Sequence, residues 1–300
     1  MVRWSWPRSL LAPADGATLR GVSAGRVPLA ARWPRPAVMG VINVTPDSFS
    51  DGGRFLSPED AIAQGLILVE EGADVVDVGG ESTRPGAAPV PLDEELRRVL
   101  PVLEGLAGVP LSIDTSKPEV ARRALALGAE LVNDVTALRA DPEMAGVVAE
   151  ADAYVCLMHM RGEPRTMQAA THYDDVVSEV FAFLEERLSF AVDAGIPEEH
   201  VCLDPGIGFG KTADQNLELV RRLDELVALG RPVVVGLSRK STLGKVLGDP
   251  DATTGTRAAS LAAAVLAYER GAWMLRVHDV KESVEALTVA AAVERGKVTA

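Results

Sequence analysis

LSIDTSKPEVARRALALGAELVND, Leu111 to Asp134, holds one strand, one helix and the next strand with their punctuation intact. Leu111–Asp114 is short and apolar and ends on a carboxylate. Ser116-Lys117-Pro118 then places proline in the first turn of a helix behind a capping serine. The apolar positions of Pro118–Leu127 recur at helical spacing, Gly128 ends the helix, and Leu131–Val135 returns as a second apolar strand. Two strands joined by a helical crossover run parallel.

The same unit repeats along the chain. The strand candidates are Ala37–Ile42, Val75–Val78, Leu111–Asp114, Leu131–Val135, Tyr154–Met158, Val201–Asp204, Val233–Leu237 and Trp273–Val277. Helices are expected over Pro58–Glu71, Leu92–Gly105, Pro118–Leu127, Pro142–Ala149, Asp174–Ala194, Asp214–Leu229, Thr256–Arg270 and Lys281–Arg295. The strands are apolar on both faces, as parallel strands covered by helices must be. Eight alternating units predict an α/β protein, a single closed (β/α)8 TIM barrel over residues 37–300. Residues 1–36, with Trp4, Trp6 and Trp33 and no periodicity, form a short N-terminal extension. It is expected either to make a small hairpin closing the bottom of the barrel or to be partly disordered.

The composition narrows the function. A net charge of −13 gives a poor general binder of nucleic acid, which needs a basic face. No apolar run reaches the roughly 18 residues of a membrane helix, and the N-terminus makes a poor signal peptide, so a cytoplasmic protein is expected. Cys156 and Cys202 each sit in an apolar run and read as buried core thiols. The chain has no zinc-spaced His/Cys cluster, no GxSxG and no Walker A loop. A GxGxxG after an early strand is also missing.

In such a barrel the chemistry sits at the C-terminal ends of the strands. Read there, the chain gives Asn43, Asp77, Asp114, Asn133, Met158-His159, Asp204, Gly236 with Lys240 and Ser241, and Arg276 with His278. One such residue could cap a helix, but lysine and arginine do not N-cap, and the run as a whole points to one polar pocket. Asp114, Asn133, Asp204 and Lys240 suit a flat heterocycle with an N–C–N edge and a lactam. Met158 and Phe209 could flank its faces. Arg276 and His278 lie two apart and share a face; with Asn43 beside them they are expected to make an anion corner for a diphosphate. The plainer alternatives are a salt bridge for Arg276 and a satisfied core imidazole for His278. The Gly- and Pro-rich loops after the first two strands are plausible lids.

These strings are similar to those of the dihydropteroate synthase family. MGVINVTPDSFSDGG (Met39–Gly53) and DVGGESTRPG (Asp77–Gly86) resemble its two long loop signatures. SIDTSKP (Ser112–Pro118), Asn133-Asp134, LMHM (Leu157–Met160), DPGIGFGK (Asp204–Lys211), GLSRKS (Gly236–Ser241) and RVHD (Arg276–Asp279) also match. The resemblance implies two substrates, 6-hydroxymethyl-7,8-dihydropterin diphosphate and p-aminobenzoate, and a sulfonamide-sensitive step of folate biosynthesis. It implies a pterin held by Asp114, Asn133, Asp204 and Lys240, with Met158 and Phe209 around it. The diphosphate would meet Asn43, Arg276, His278 and Mg2+, with Asn43 as the metal ligand. Thr83 and Arg84 would close over it. The p-aminobenzoate would lie by Thr83, Pro85, Phe209, Lys240 and Ser241. The catalytic set it implies is Asp114, Asp204, Lys240, Arg276 and His278, with Asp47 and Asp77 in the lid or behind the pocket. The family is typically homodimeric. Two rivals remain, a pterin-binding methyltransferase that serves a corrinoid and a non-catalytic pterin-binding module.

Overall fold

A computed structural model describes residues 26–45, 57–83, 87–162, 167 and 171–298. Eight parallel strands alternate with helices: β1 (Ala37–Asn43), β2 (Val75–Gly79), β3 (Leu111–Asp114), β4 (Leu131–Asp134), β5 (Tyr154–Met158), β6 (Val201–Asp204), β7 (Val234–Val235) and β8 (Met274–Val277). Their order is β6-β5-β4-β3-β2-β1-β8-β7, and a bridge between Leu203 and Val233 joins the two ends into a barrel. The helices are α1 (Leu29–Arg32), α2 (Pro58–Glu70), α3 (Leu92–Gly105), α4 (Pro118–Ala126), α5 (Glu143–Glu150) and α6 (Val176–Asp193). After them come α7 (Ala213–Arg221), α8 (Leu223–Val227), α9 (Ser241–Val246), α10 (Arg257–Glu269) and α11 (Val280–Arg295).

The alternation of each strand sorts its residues. Val38, Ile42, Val76, Ile113 and Val132 face the helices and build the outer core. Met39, Val75, Leu131, Tyr154, Cys156, Cys202 and Met274 fill the barrel interior near its lower end. Leu29 and Trp33, each 1% exposed, close that end from below. Residues 26–36 thus form a helical turn with its flanking links where the sequence left open a hairpin; residues 1–25 lie outside the described residues. Arg32 clamps the plug with two hydrogen bonds to Glu130, both 2.8 Å.

Three elements differ from the sequence reading. The helix expected over Asp214–Leu229 breaks at Arg222 (φ −110°, ψ 30°), whose guanidinium bonds to Asp175 at the head of α6 and to Glu225. The strand expected over Val233–Leu237 shortens to two residues, because the chain turns away after Gly236 to reach a left-handed Arg239. That turn leads into α9, a helix the periodicity did not show.

Candidate active site

Pleating brings the inward residues of the upper strands to one level. Asn43 pairs with Gly79, Gly79 with Asp114, and Asp114 with Asn133. A side chain on Gly79 would touch Asp114 Cβ at 3.4 Å and Asn43 Oδ1 at 3.7 Å, so these three positions crowd together. Met158 pairs with Asp204 on the adjacent strands β5 and β6. Asp114, Asn133 and Asp204 are 7%, 5% and 6% exposed, which places three polar groups at the floor of one cup.

Arg276 crosses the barrel beneath this cup. Its Nε donates to Asp77 Oδ2 at 2.7 Å and its Nη2 to Asp114 Oδ2 at 2.9 Å. Asn133 Nδ2 donates to the same Asp77 oxygen at 3.0 Å. Asp77 is fully buried, and its Oδ1 has no hydrogen-bond partner among the described residues. Asp77 is therefore the hub under the pocket rather than part of a lid. The expectation that Arg276 stands beside Asn43 is not met here. Arg276 is level with Met39 on β1, four residues below Asn43, because the barrel's shear offsets β8 from β1. Its ion pairs are those of the plainer alternative.

One guanidinium cannot neutralise two buried carboxylates. Burial pushes the Asp114 carboxyl up to about 7; Arg276 opposes the shift, while Asp77, Glu95 and Asp134 add to it. Burial also raises Asp204, against the pull of Lys240 and the hydrogen bond from Gly206 N, 2.6 Å long. Burial works against the Arg276 charge, yet Asp77 and Asp114 hold its pKa above the ordinary value. Lys240, at the head of α9, is pushed down to about 8 by burial, with Asp204 opposing. Its Nζ donates to Ile207 O and lies 4.8 Å from the centroid of the Phe209 ring. Phe209 packs on a patch of Val135, Met158, Met160 and Met167, which gives the cup one apolar wall. Gly236 lies under Arg276 Cβ and Lys240 Nζ, and Ser241 opens α9. His278 turns toward β7, its N and Nδ1 both 3.2 Å from Ser238 Oγ.

Asp114 also borders a cavity of about 480 Å3 that opens between the loops after β2 and β4 and is lined by Glu81, Ser82, Thr83, Thr115, Arg139 and Met160. Thr83 is thus at the mouth. Arg84, Pro85 and Asp47 lie outside the described residues.

Two supports escaped the sequence reading. Lys211 is 3% exposed, and its Nζ donates to Gly206 O (2.9 Å) and Phe209 O (3.0 Å) and meets His159 Nδ1 at 2.9 Å. It staples the glycine-rich loop to the end of β5. Burial drives the Lys211 pKa well down, and burial with the Lys211 charge lowers that of His159 to about 2, so the imidazole is a neutral acceptor at Nδ1. Gly206 sits at φ +66°, and a Cβ there would lie 1.8 Å from His159 O, so only glycine fits. On the other side, Lys117 bonds both Glu81 and the fully buried Glu95, whose Oε1 accepts from Thr115 Oγ1 at 2.6 Å. This ties the start of the loop after β2 to the end of β3.

The family model of the pterin binding enzymes matches residues 39–278. The dihydropteroate synthase of Escherichia coli (strain K12) is 49% identical over 259 residues, covering 85% of this chain and 90% of its own. Two solved structures of the Xanthomonas albilineans dihydropteroate synthase are similar throughout. The one with 4-aminobenzoic acid has a TM-score of 0.79 at 53% identity and covers 87% of this chain and 94% of its own. The one in complex with 7,8-dihydropteroate has a TM-score of 0.76 at 50% identity, with coverage of 87% and 94%. Likeness of this extent, running through every strand end that builds the cup, makes the chain a member of the pterin-binding enzyme family, within its dihydropteroate synthases.

Proposed function

We propose that the chain condenses 6-hydroxymethyl-7,8-dihydropterin diphosphate with p-aminobenzoate to give 7,8-dihydropteroate and pyrophosphate, a step of folate biosynthesis. The observation that carries this reading is the cup itself. Asp114, Asn133 and Asp204 from three strands and Lys240 from the head of α9 converge beside an apolar wall, in a chain about half identical to a synthase solved with 7,8-dihydropteroate.

The pterin lies in the cup. Asp204 and Asp114 accept from its ring N–H groups, Asn133 matches the lactam edge, and Met158 and Phe209 cover its faces. Arg276 keeps its contact with Asp77, and its Nη2 passes from Asp114 to the diphosphate as the ring takes over that carboxylate. His278 joins it there. The p-aminobenzoate enters by Thr83, Phe209, Lys240 and Ser241. The bond between the pterin methylene and the diphosphate oxygen then breaks, and its electron pair leaves with pyrophosphate. The buried carboxylates stabilise the positive charge left on the pterin, Arg276 stabilises the departing anion, and the neutral arylamine nitrogen forms the new C–N bond and sheds its proton.

Mg2+ fits this site in one way. Among the described residues no cluster of three or more His, Cys, Asp or Glu could hold a metal ion, but Asn43 Oδ1 is a hard oxygen donor at the mouth. Mg2+ commonly takes one or two protein oxygens and completes its shell with water and phosphate. Bound to Asn43 and the diphosphate, it would supply charge neutralisation to the leaving group.

The chain acts in the cytoplasm as a homodimer. Among the described residues no helix is long and apolar enough to cross a membrane. The adjacent α7, α9 and α10 expose Leu217, Val246, Leu247 and Leu266, a face suited to a second copy.

Titration with 7,8-dihydropteroate tests the pocket. Asp204→Asn and Asn133→Ala should each weaken binding by about 10- to 100-fold, the worth of one or two hydrogen bonds to a charged or buried group. Unchanged affinity in both would place the ring elsewhere.

A further inference from the structure

The turn that presents Lys240 is strained. Arg239, the residue before it, has φ +57°, a left-handed conformation unfavourable for any residue with a Cβ. Three contacts hold it there. Its amide donates to Ser260 Oγ at 3.0 Å, and its carbonyl accepts from Thr254 Oγ1 at 2.9 Å. Its guanidinium grips Asp279 with two bonds, Nε to Oδ2 at 3.1 Å and Nη2 to Oδ1 at 2.6 Å. The Asp279 side chain is 5% exposed and also receives Arg257 Nε at 3.1 Å. Asp279 directly follows His278, whose N and Nδ1 reach Ser238, the residue before Arg239. Residues 238–239 are therefore matched, side chain for side chain, with residues 278–279.

We propose that Arg239 and Asp279 are positioning residues. Their ion pair holds the left-handed turn that aims Lys240 into the cup and fixes His278 at a set distance from it. The pair thereby keeps the ring end and the leaving-group end of the site in register. Neither residue touches substrate in this assignment, which rests on the reading of Lys240 and His278 as site residues.

The experiment uses Arg239→Ala, Arg239→Gly, Asp279→Asn and the double variant Arg239→Gly with Asp279→Asn. Each is checked for an unchanged fold by circular dichroism and melting. Two readouts are taken. One is kcat/KM with both substrates and Mg2+. The other is the pH midpoint of Lys240 modification by trinitrobenzenesulfonate, followed by peptide mass; the charged groups acting on Lys240 are Asp204 and Arg276. Glycine adopts φ +57° freely, so Arg239→Gly removes the guanidinium without leaving strain. Arg239→Ala should lower kcat/KM by about 10- to 100-fold, the range that backbone strain of this kind covers. It should also move the Lys240 midpoint toward that of an ordinary lysine. Arg239→Gly should restore much of both. Asp279→Asn should cost several-fold in the wild type and much less in the glycine background.

Equal losses in Arg239→Ala and Arg239→Gly would overturn the proposal, because the guanidinium would then act directly. So would an Asp279→Asn effect of the same size in both backgrounds. If the wild type gives no turnover while the Lys240 midpoints follow the expected pattern, the positioning role stands and the functional reading falls.

Discussion

Arg276 and Asp77 form a pair below the pocket, 2.7 Å apart, with Asp77 fully buried and one of its oxygens shared by Arg276 and Asn133. Two of the cup's groups, Asp114 and Asn133, are thus linked through one guanidinium and one carboxylate. Removing Arg276 would leave two buried carboxylates with no cation bonded to either among the described residues. Arg276→Ala should lower stability by about 3–5 kcal/mol, the usual cost of stripping one partner from a buried pair. Arg276→Ala with Asp77→Asn should recover a large part of it, because the amide carries no charge. Urea unfolding of both variants measures this; a single variant as stable as the wild type would show that the pair carries no structural weight.

The pH behaviour follows from Asp114. Its folded value of about 7 lies above the ordinary 3.8, so between those values the folded protein holds a proton that the unfolded chain has lost. Stability must then fall as pH rises from about 4 to about 7 on account of this group. Asp204 and Asp134 are raised too and act in the same direction. Asp114→Asn should flatten the fall without abolishing it, as urea midpoints at several pH values would reveal. A slope as steep as that of the wild type would contradict the raised carboxyl.

Activity should show the same group. The pterin needs Asp114 ionised and Lys240 charged, so kcat/KM for the diphosphate substrate should rise toward about 7 and decline above about 8. Asp114→Asn should lose the acid limb and keep the alkaline one. An acid limb that survives the substitution would belong to another residue.

The residues that form the cup were legible because barrel geometry sends strand ends to one mouth: Asn43, Asp114, Met158 and Asp204 each close a strand. What sequence could not give was level. Arg276 reads as a neighbour of Asn43 from strand order alone, but hydrogen-bond register sets it four residues lower, where Asp77 takes it. Glu95 gave no signal either. It sits inside an amphipathic helix among Asp93, Glu94 and Arg97, and it is buried only because Lys117 and Thr115 from another element meet it. Lys211 stood in a quoted string, yet only the fold shows that its partners are three carbonyls and an imidazole.

Lys211→Met tests that staple. It keeps the unbranched shape, one atom shorter, and removes every donor, so Gly206 O, Phe209 O, His159 O and His159 Nδ1 lose their shared partner. The loss should be about 2–4 kcal/mol, from buried groups left without hydrogen bonds. Pterin affinity should fall with it, since Phe209 and Asp204 both depend on this loop. Full affinity with reduced stability would show that the loop holds its shape without Lys211.

In the proposed transfer, diphosphate leaves the pterin and an arylamine takes its place. The direct measurement is pyrophosphate release from 6-hydroxymethyl-7,8-dihydropterin diphosphate and Mg2+, with and without p-aminobenzoate, alongside the mass of the product. Sustained release that depends on p-aminobenzoate is expected, with one pyrophosphate for each 7,8-dihydropteroate formed. Tight binding of the pterin diphosphate with no p-aminobenzoate-dependent release would contradict it and leave a pterin-binding module in its place.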